Sequence, residues 1–223
     1  MNQHLRAFLD ELYADGVAHD ASQPDRLLKR RNLEPATAEL VSLMVRIAGA
    51  RQVVEIGTAN GYSTVWLADA VGDTGGHVVS LDTAANRDAR TNLARADAIQ
   101  PGLAKRVELR QEDGGAYLRR LADGSVGLLF LDAERVEYPR WWPHPVRVLR
   151  PGAVLAVDNV LSHADEVVPL LALLARETAL VRATVAVGKG LHLAWNGRGN
   201  PLPEGAPSNP PPGRRGPSGG QDQ

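Results

Sequence analysis

The chain of 223 residues contains no cysteine. Disulfides, thiolate metal sites and a cysteine nucleophile are therefore excluded. A charge excess of either sign is also missing. Lys and Arg number 25 against 26 Asp and Glu, for a formal net charge of −1. Nothing basic enough to grip a nucleic-acid backbone or an anionic membrane is present, so neither is expected as a partner. Long apolar runs are absent too. Stretches such as 167–175 fall well short of the ~20 residues that span a bilayer. Residues 1–20 mix charged and apolar side chains and lack the apolar core of a secretory leader. These absences lead to the expectation of a soluble, cytoplasmic protein acting on a small molecule.

What is present suffices for one core. Hydrophobic residues make up 43% of the chain, and the length suits a single domain. Residues 197–223 hold seven Gly and seven Pro. Their only large apolar residue is Leu202, so burial cannot offset their ordering entropy. A domain over 1–196 followed by a disordered Pro/Gly-rich tail over 197–223 is expected. No internal repeat is visible.

The N-terminal part reads as helices. Leu5, Phe8, Leu9 and Leu12 share one helical face. A second helix is expected over 35–48, with Pro in its first turn and an apolar stripe of Leu40, Leu43, Met44 and Ile47. A strand–loop–helix rhythm follows. Strands are expected at 52–56, 77–81, 106–110, 126–131 and 153–157, with helices at 62–71, 84–98, 115–121, 138–149 and 167–177. The run Val126-Gly-Leu-Leu-Phe-Leu131 has the continuous apolarity of a central parallel strand covered on both faces. Strands at 180–187 and 191–195, joined by Gly188-Lys189-Gly190, predict an antiparallel edge hairpin. The fold class is α/β: a doubly wound, Rossmann-like sheet of seven strands with extra N-terminal helices.

Ligands of such sheets bind beyond the C-terminal strand ends, at the switch in strand order. Gly57 and Gly61 follow the first strand, Asp82 the second, Asp113 the third, Asp132 the fourth, and Asp158 with Asn159 the fifth. Strand-end aspartates also cap helices, so Asp82 and Asp113 carry two readings. The loop after the first strand lacks the third glycine of a dinucleotide cradle. Glu55 before it would repel a phosphate and suits a cationic ligand. Asp82 is placed to accept ribose hydroxyls. Asp132, Asp158 and Asn159 are hard oxygen donors suited to Mg²⁺ or a similar cation, which would acidify a substrate hydroxyl. Alternatively, Asp158-Asn159 forms a simple turn.

The segment Glu55 to Ser63, EIGTANGYS, resembles the first cofactor motif of the cation-dependent O-methyltransferases, the family of catechol and caffeoyl-CoA O-methyltransferases. The likeness continues through Ser80-Leu81-Asp82, Glu112-Asp113-Gly114, Phe130 to Arg135 with Tyr138, Leu149 to Gly152, and Val157 to Leu161. It implies a methyltransferase sheet and methyl transfer from S-adenosylmethionine to a hydroxyl of a small, aromatic acceptor, assisted by metal. It implies that Glu55, Gly57 and Ser63 hold the methionine part, with Gly61 and Asp132 also in the cofactor set. Asp82 would take the ribose and Asp113 would face the adenine. Asp132, Asp158 and Asn159 would hold the cation. A homodimer is the family expectation.

Two positions depart from the family. Ala59 stands where an aromatic is frequent, and Arg135 where a lysine is frequent. Arginine stays protonated and is a poor base, but it can stabilise a phenolate. Its other reading is a salt bridge to Glu134 or Glu137. His163 is a second candidate base. Trp141 and Trp142 either line an aromatic pocket or pack in the core. The competing functions are a metal-independent methyltransferase, a nicotinamide dehydrogenase and a non-catalytic cofactor binder.

Overall fold

A computed structural model of the chain describes residues 1–25, 28–85 and 87–198. The expected disordered tail lies, from 199 on, outside the described residues. Gly197 still donates its N–H to the Ala179 carbonyl.

Helix α1 (Gln3–Ser22) is N-capped by Asn2, whose side chain accepts from the Leu5 N–H, and it buries Leu5, Phe8, Leu9 and Leu12 as expected. Helix α2 (Pro35–Ile47) starts on Pro35, where the missing N–H costs nothing. Its buried face is only in part the expected one. Leu40 and Met44 are partly buried against the core, but Ala38, Val41 and Val45 are the fully inward residues, while Leu43 and Ile47 are 48% and 68% exposed. The smaller, β-branched side chains allow α2 to lie close on α3 (Tyr62–Thr74).

Seven strands form one sheet: β1 (Gln52–Ile56), β2 (His77–Asp82), β3 (Val107–Gln111), β4 (Val126–Leu131), β5 (Leu149–Val157), β6 (Leu180–Val185) and β7 (Leu191–Asn196). Their order is β3-β2-β1-β4-β5-β7-β6. The first five are parallel; β7 runs antiparallel to both β5 and β6. Helices α4 (Arg87–Ile99), α5 (Gly114–Arg120), α6 (His144–Arg147) and α7 (Ala164–Ala175) complete the layers. Alternation along the strands divides the core between the faces. Val53, Leu128 and Phe130 face α1–α3; Val54, Leu129 and Leu131 face the other side with Val167 and Leu170 of α7.

The helix expected over 138–149 does not form. A 3₁₀ segment runs through Arg135–Trp141, α6 spans only His144–Arg147, and β5 already begins at Leu149. Pro139, Pro143 and Pro145 remove three amide donors within seven residues, and proline disfavours helical geometry just before it. The other elements shift by three residues or fewer, except that β5 starts four residues early. Among the described residues no helix is long and apolar enough to cross a membrane.

Leu129 is fully buried at the centre of β4, whereas Ile47 is mostly exposed. Leu129→Ala is expected to lower unfolding free energy by about 2–5 kcal/mol in urea titrations, and Ile47→Ala by less than about 0.5 kcal/mol.

Candidate active site

The sheet reverses its winding between β1 and β4, and the chain leaves both strands at the same end. Gly57 takes the first step out of β1 with φ +108°. A Cβ there would collide with the Asp132 carbonyl oxygen just past β4. Asp132 N–H in turn donates to the Ile56 carbonyl at 2.9 Å. Gly61, with φ +83°, turns the chain into α3 against Ala89. Ala59 holds φ +47° without being glycine; the Asp82 carboxylate steadies it, accepting from Ala59 N–H at 3.0 Å and Thr58 N–H at 3.2 Å.

A cleft of about 420 Å³ opens over these strand ends. Its walls include Gly57, Ser63, Asp82, Asp113, Asp132, Asp158 and Asn159, with Arg135 and His163 further round. All the strand-end acids expected from the sequence therefore meet. Both readings of Asp82 and Asp113 coexist. Asp82 also accepts the Ala84 N–H at 2.9 Å, and Asp113 N-caps α5 through Ala116 N–H at 2.7 Å, while both still face the cleft.

Glu55 is different. It is fully buried and is not among the residues lining the cleft. Its Oε2 accepts from Thr64 Oγ1 at 2.5 Å and Ser80 Oγ at 2.6 Å. Its Oε1 has no hydrogen-bond partner. Burial raises its pKa, opposed by the Ser63, Ser80 and Thr64 hydroxyls, with the Asp82 charge raising it further. As the penultimate residue of β1 it turns to the Thr64 and Ser80 hydroxyls rather than into the open cleft.

Asp132 and Asp158 close the floor. Asn159, at φ +64°, donates its side-chain amide to Asp158 Oδ2 at 2.7 Å and Asp132 Oδ1 at 3.3 Å. Asp158 Oδ1 is buried with no partner. Burial pushes the Asp158 carboxyl up to about 6; Glu34 raises it too, while the Asn159 backbone, Lys189 and Arg135 oppose the rise. Asp132 lies well above the usual carboxylate range, through burial first and then the Asp158 and Glu55 charges. The loop behind Asp132 is pinned by buried Tyr138, whose hydroxyl accepts from Ala133 N–H at 2.7 Å and donates to Ala133 O at 3.0 Å.

Arg135 pairs with neither Glu134 nor Glu137. Its Nε donates to Glu166 Oε2 of α7 at 2.8 Å, and its side chain is 5% exposed. His163 is the N-cap residue of α7, with Nδ1 2.8 Å from Ser162 Oγ. Trp141 packs on Tyr138 at 5.1 Å between ring centres and also borders the cleft. Trp142 packs in the core layer beside α7 and does not reach the cleft.

The cleft also gathers residues that the strand-end rule does not flag. Asn60 is buried, lines the cleft and has an unpartnered Nδ2. Lys189 arrives from the β6–β7 turn and Lys29 to Leu33 from the segment before α2. Asn60 sits inside the glycine loop and was legible there; Lys189 and the 29–33 segment carry no local sequence signal.

Gly57→Ala combines a strained φ with a backbone collision. It is expected to cost about 2–4 kcal/mol of stability, read by urea unfolding. Between about pH 4 and 6 folded Asp158 keeps a proton that the unfolded chain, with its ordinary value of 3.8, has already released. Stability therefore falls as pH rises through that window. In chelator-treated protein Asp158→Asn should be more stable than wild type by about 1–3 kcal/mol at pH 7.5, and the gain should vanish below about pH 4. Thermal melts across pH check this.

The O-methyltransferase family model matches residues 9–183. A catechol O-methyltransferase of Mycobacterium tuberculosis is 36% identical over 166 residues, 70% of either chain. A catechol O-methyltransferase of Niastella koreensis is 28% identical over 175 residues, 72% of this chain and 76% of the relative. The chain spans 55 to 58% of the length of several further mycobacterial relatives that it matches. The crystal structure of a Bacillus cereus O-methyltransferase in complex with SAH superposes with a TM-score of 0.69 at 27% identity, covering 85% of this chain and 90% of that one. With the glycine loop and acid-lined cleft at the switch point of the matched sheet, the chain belongs to the O-methyltransferase family.

Proposed function

We propose that the chain transfers a methyl group from S-adenosylmethionine to a hydroxyl of a small aromatic molecule, with a divalent cation held at Asp132, Asp158 and Asn159. One observation carries the reading: two recessed carboxylates share the floor of the cleft, and buried Asp158 Oδ1 lacks any partner. Burial disfavours the charge of both, with Asp158 further raising Asp132 and Glu34 further raising Asp158, which is the state of a site awaiting positive charge. Two carboxylates and an amide are hard donors that fit Mg²⁺ or a similar ion. When bound, such a cation acidifies and orients an acceptor hydroxyl.

The chain's own residues supply the rest. Gly57, by its missing side chain, keeps the loop low enough for a cofactor to lie across the strand ends. Ser63 and the free Asn60 amide suit the polar methionine end. Asp82, already fixed by three backbone amides, presents its remaining lone pairs to ribose hydroxyls. Asp113 and Gly114 border the position for the adenine. Glu55 contributes from below, as a buried negative charge beneath a cationic ligand and as the anchor of Thr64 and Ser80. Arg135, held by Glu166, is suited to stabilising an acceptor oxyanion rather than removing a proton. His163 at the cleft edge is the remaining candidate base. Holding donor and acceptor in line is where most of the acceleration would arise.

Calorimetry with S-adenosylhomocysteine and a methyl-transfer assay on a vicinal aromatic diol test this. Cofactor binding should survive EDTA and Asp158→Ala, while either treatment should lower turnover roughly a hundredfold. Turnover unaffected by both removes the metal from the mechanism. Absence of cofactor binding overturns the whole reading.

A further inference from the structure

The β6–β7 turn brings a lysine to the cleft that holds Asp132 and Asp158, and it is held there by backbone as well as by side chain. Gly188 has φ +53° and Gly190 φ +94°. A Cβ on Gly188 would strike the Thr37 hydroxyl at the start of α2. One on Gly190 would fall 2.8 Å from the Leu161 amide nitrogen. Glycines on both sides let the turn wedge between α2 and the loop after β5. The Lys189 carbonyl accepts from Leu161 N–H at 3.0 Å and Ser162 N–H at 3.1 Å, and the Gly190 carbonyl accepts from Val160 N–H at 3.0 Å. The segment that follows Asp158 and Asn159 thus hangs on the lysine's own backbone.

The side chain is tethered at its far end. Lys189 Nζ lies 2.9 Å from Glu34 Oε1, and the residue borders the same cleft as Asp132 and Asp158. Its charge favours the ionised form of both aspartates, and they favour its protonated form. Arg135 also favours ionised Asp158 but is committed to Glu166 through Nε.

We propose that Lys189 is a built-in counter-cation for the Asp132–Asp158 pair, a positioning residue that weakens the site's affinity for a divalent cation. The proposal rests on the reading that this pair receives a cation. A tethered ammonium partly balances the two carboxylates before any metal arrives, and it repels the metal when it comes. Glu34 sets how strongly it does so by holding the ammonium to one side. Lys189 is half exposed, so salt should screen the effect.

The test is calorimetric titration of chelator-stripped full-length protein with Mn²⁺, at low and high ionic strength. Lys189→Met should tighten Mn²⁺ binding roughly tenfold at low salt and less at high salt. Lys189→Glu should tighten it further, and Lys189→Arg should stay within about twofold of wild type by retaining the charge. Glu34→Gln should act in the opposite sense, since it removes an anion and frees the lysine to turn toward the aspartates. Thermal midpoints and S-adenosylhomocysteine affinity report whether each variant is folded, and the opposite sign of Glu34→Gln keeps the proposal testable if one variant is not. Equal affinity in wild type, Lys189→Met and Lys189→Glu overturns the counter-cation role while leaving the metal reading intact. Looser binding in Lys189→Met overturns it as well. No Mn²⁺ binding by any variant removes both.

Discussion

The site depends on one close approach: the backbone at Gly57 passing over the carbonyl of Asp132. β1 and β4 are hydrogen-bonded neighbours, so the chain must leave both strands at the same place. Only a residue without a Cβ, at positive φ, clears the second strand's exit. That crossing fixes the loop that leads into α3 and, through Asp132 N–H to Ile56 O, the height of the aspartate. Tyr138 clamps the following residue by both its N–H and its C=O. Loop and acid are therefore parts of one rigid corner, and the cleft inherits its shape from it.

Electrostatics then give the corner a preference. Each parallel strand ends near a carboxylate, and the winding reversal brings those carboxylates around one cavity. Water is excluded from Asp158, so its charge is poorly solvated and calls for compensation. Compensation comes from three directions: Asn159, the tethered Lys189, and Arg135, itself paired with Glu166. The proposed cofactor, itself cationic, suits the acid-lined wall, and the proposed divalent cation suits the floor. Phosphate-bearing dinucleotides suit neither, which accords with the two-glycine loop.

Much of this was legible because it is local. Strand-ending residues can be found wherever an apolar run stops, and Asp82, Asp113, Asp132, Asp158 and Asn159 all occur there. Their convergence follows from sheet order, which repeated βα units imply. Glu55 was legible as a carboxylate before the loop but not as a buried one, since that depends on the hydroxyls of Thr64 and Ser80 from two other elements. The partner of Arg135 was misplaced for the same reason. Glu134 and Glu137 are near in sequence, but the 3₁₀ turn rotates the guanidinium toward α7. The helix expected across Pro143 and Pro145 does not form because apolar periodicity carries no weight where the backbone cannot donate. The apolar stripe of α2 is buried only in part: Leu40 and Met44 pack on the core, but close packing on α3 turns the smaller Ala38, Val41 and Val45 fully inward and leaves Leu43 and Ile47 outside.

By itself the sequence determined the alternation of strands and helices, the seven-stranded α/β class and the identity of the strand-end acids. These follow from apolar periodicity, turn residues and composition, which act over a few residues. Only the tertiary structure decided which charges face one another. Lys189 comes to the cleft from a hairpin 31 residues beyond Asp158 in the chain, and Glu34, far earlier in the sequence, holds its ammonium. Coulomb interactions depend on distance in space, and that distance is set by how the edge hairpin packs between α2 and β5, which no local pattern of residues encodes.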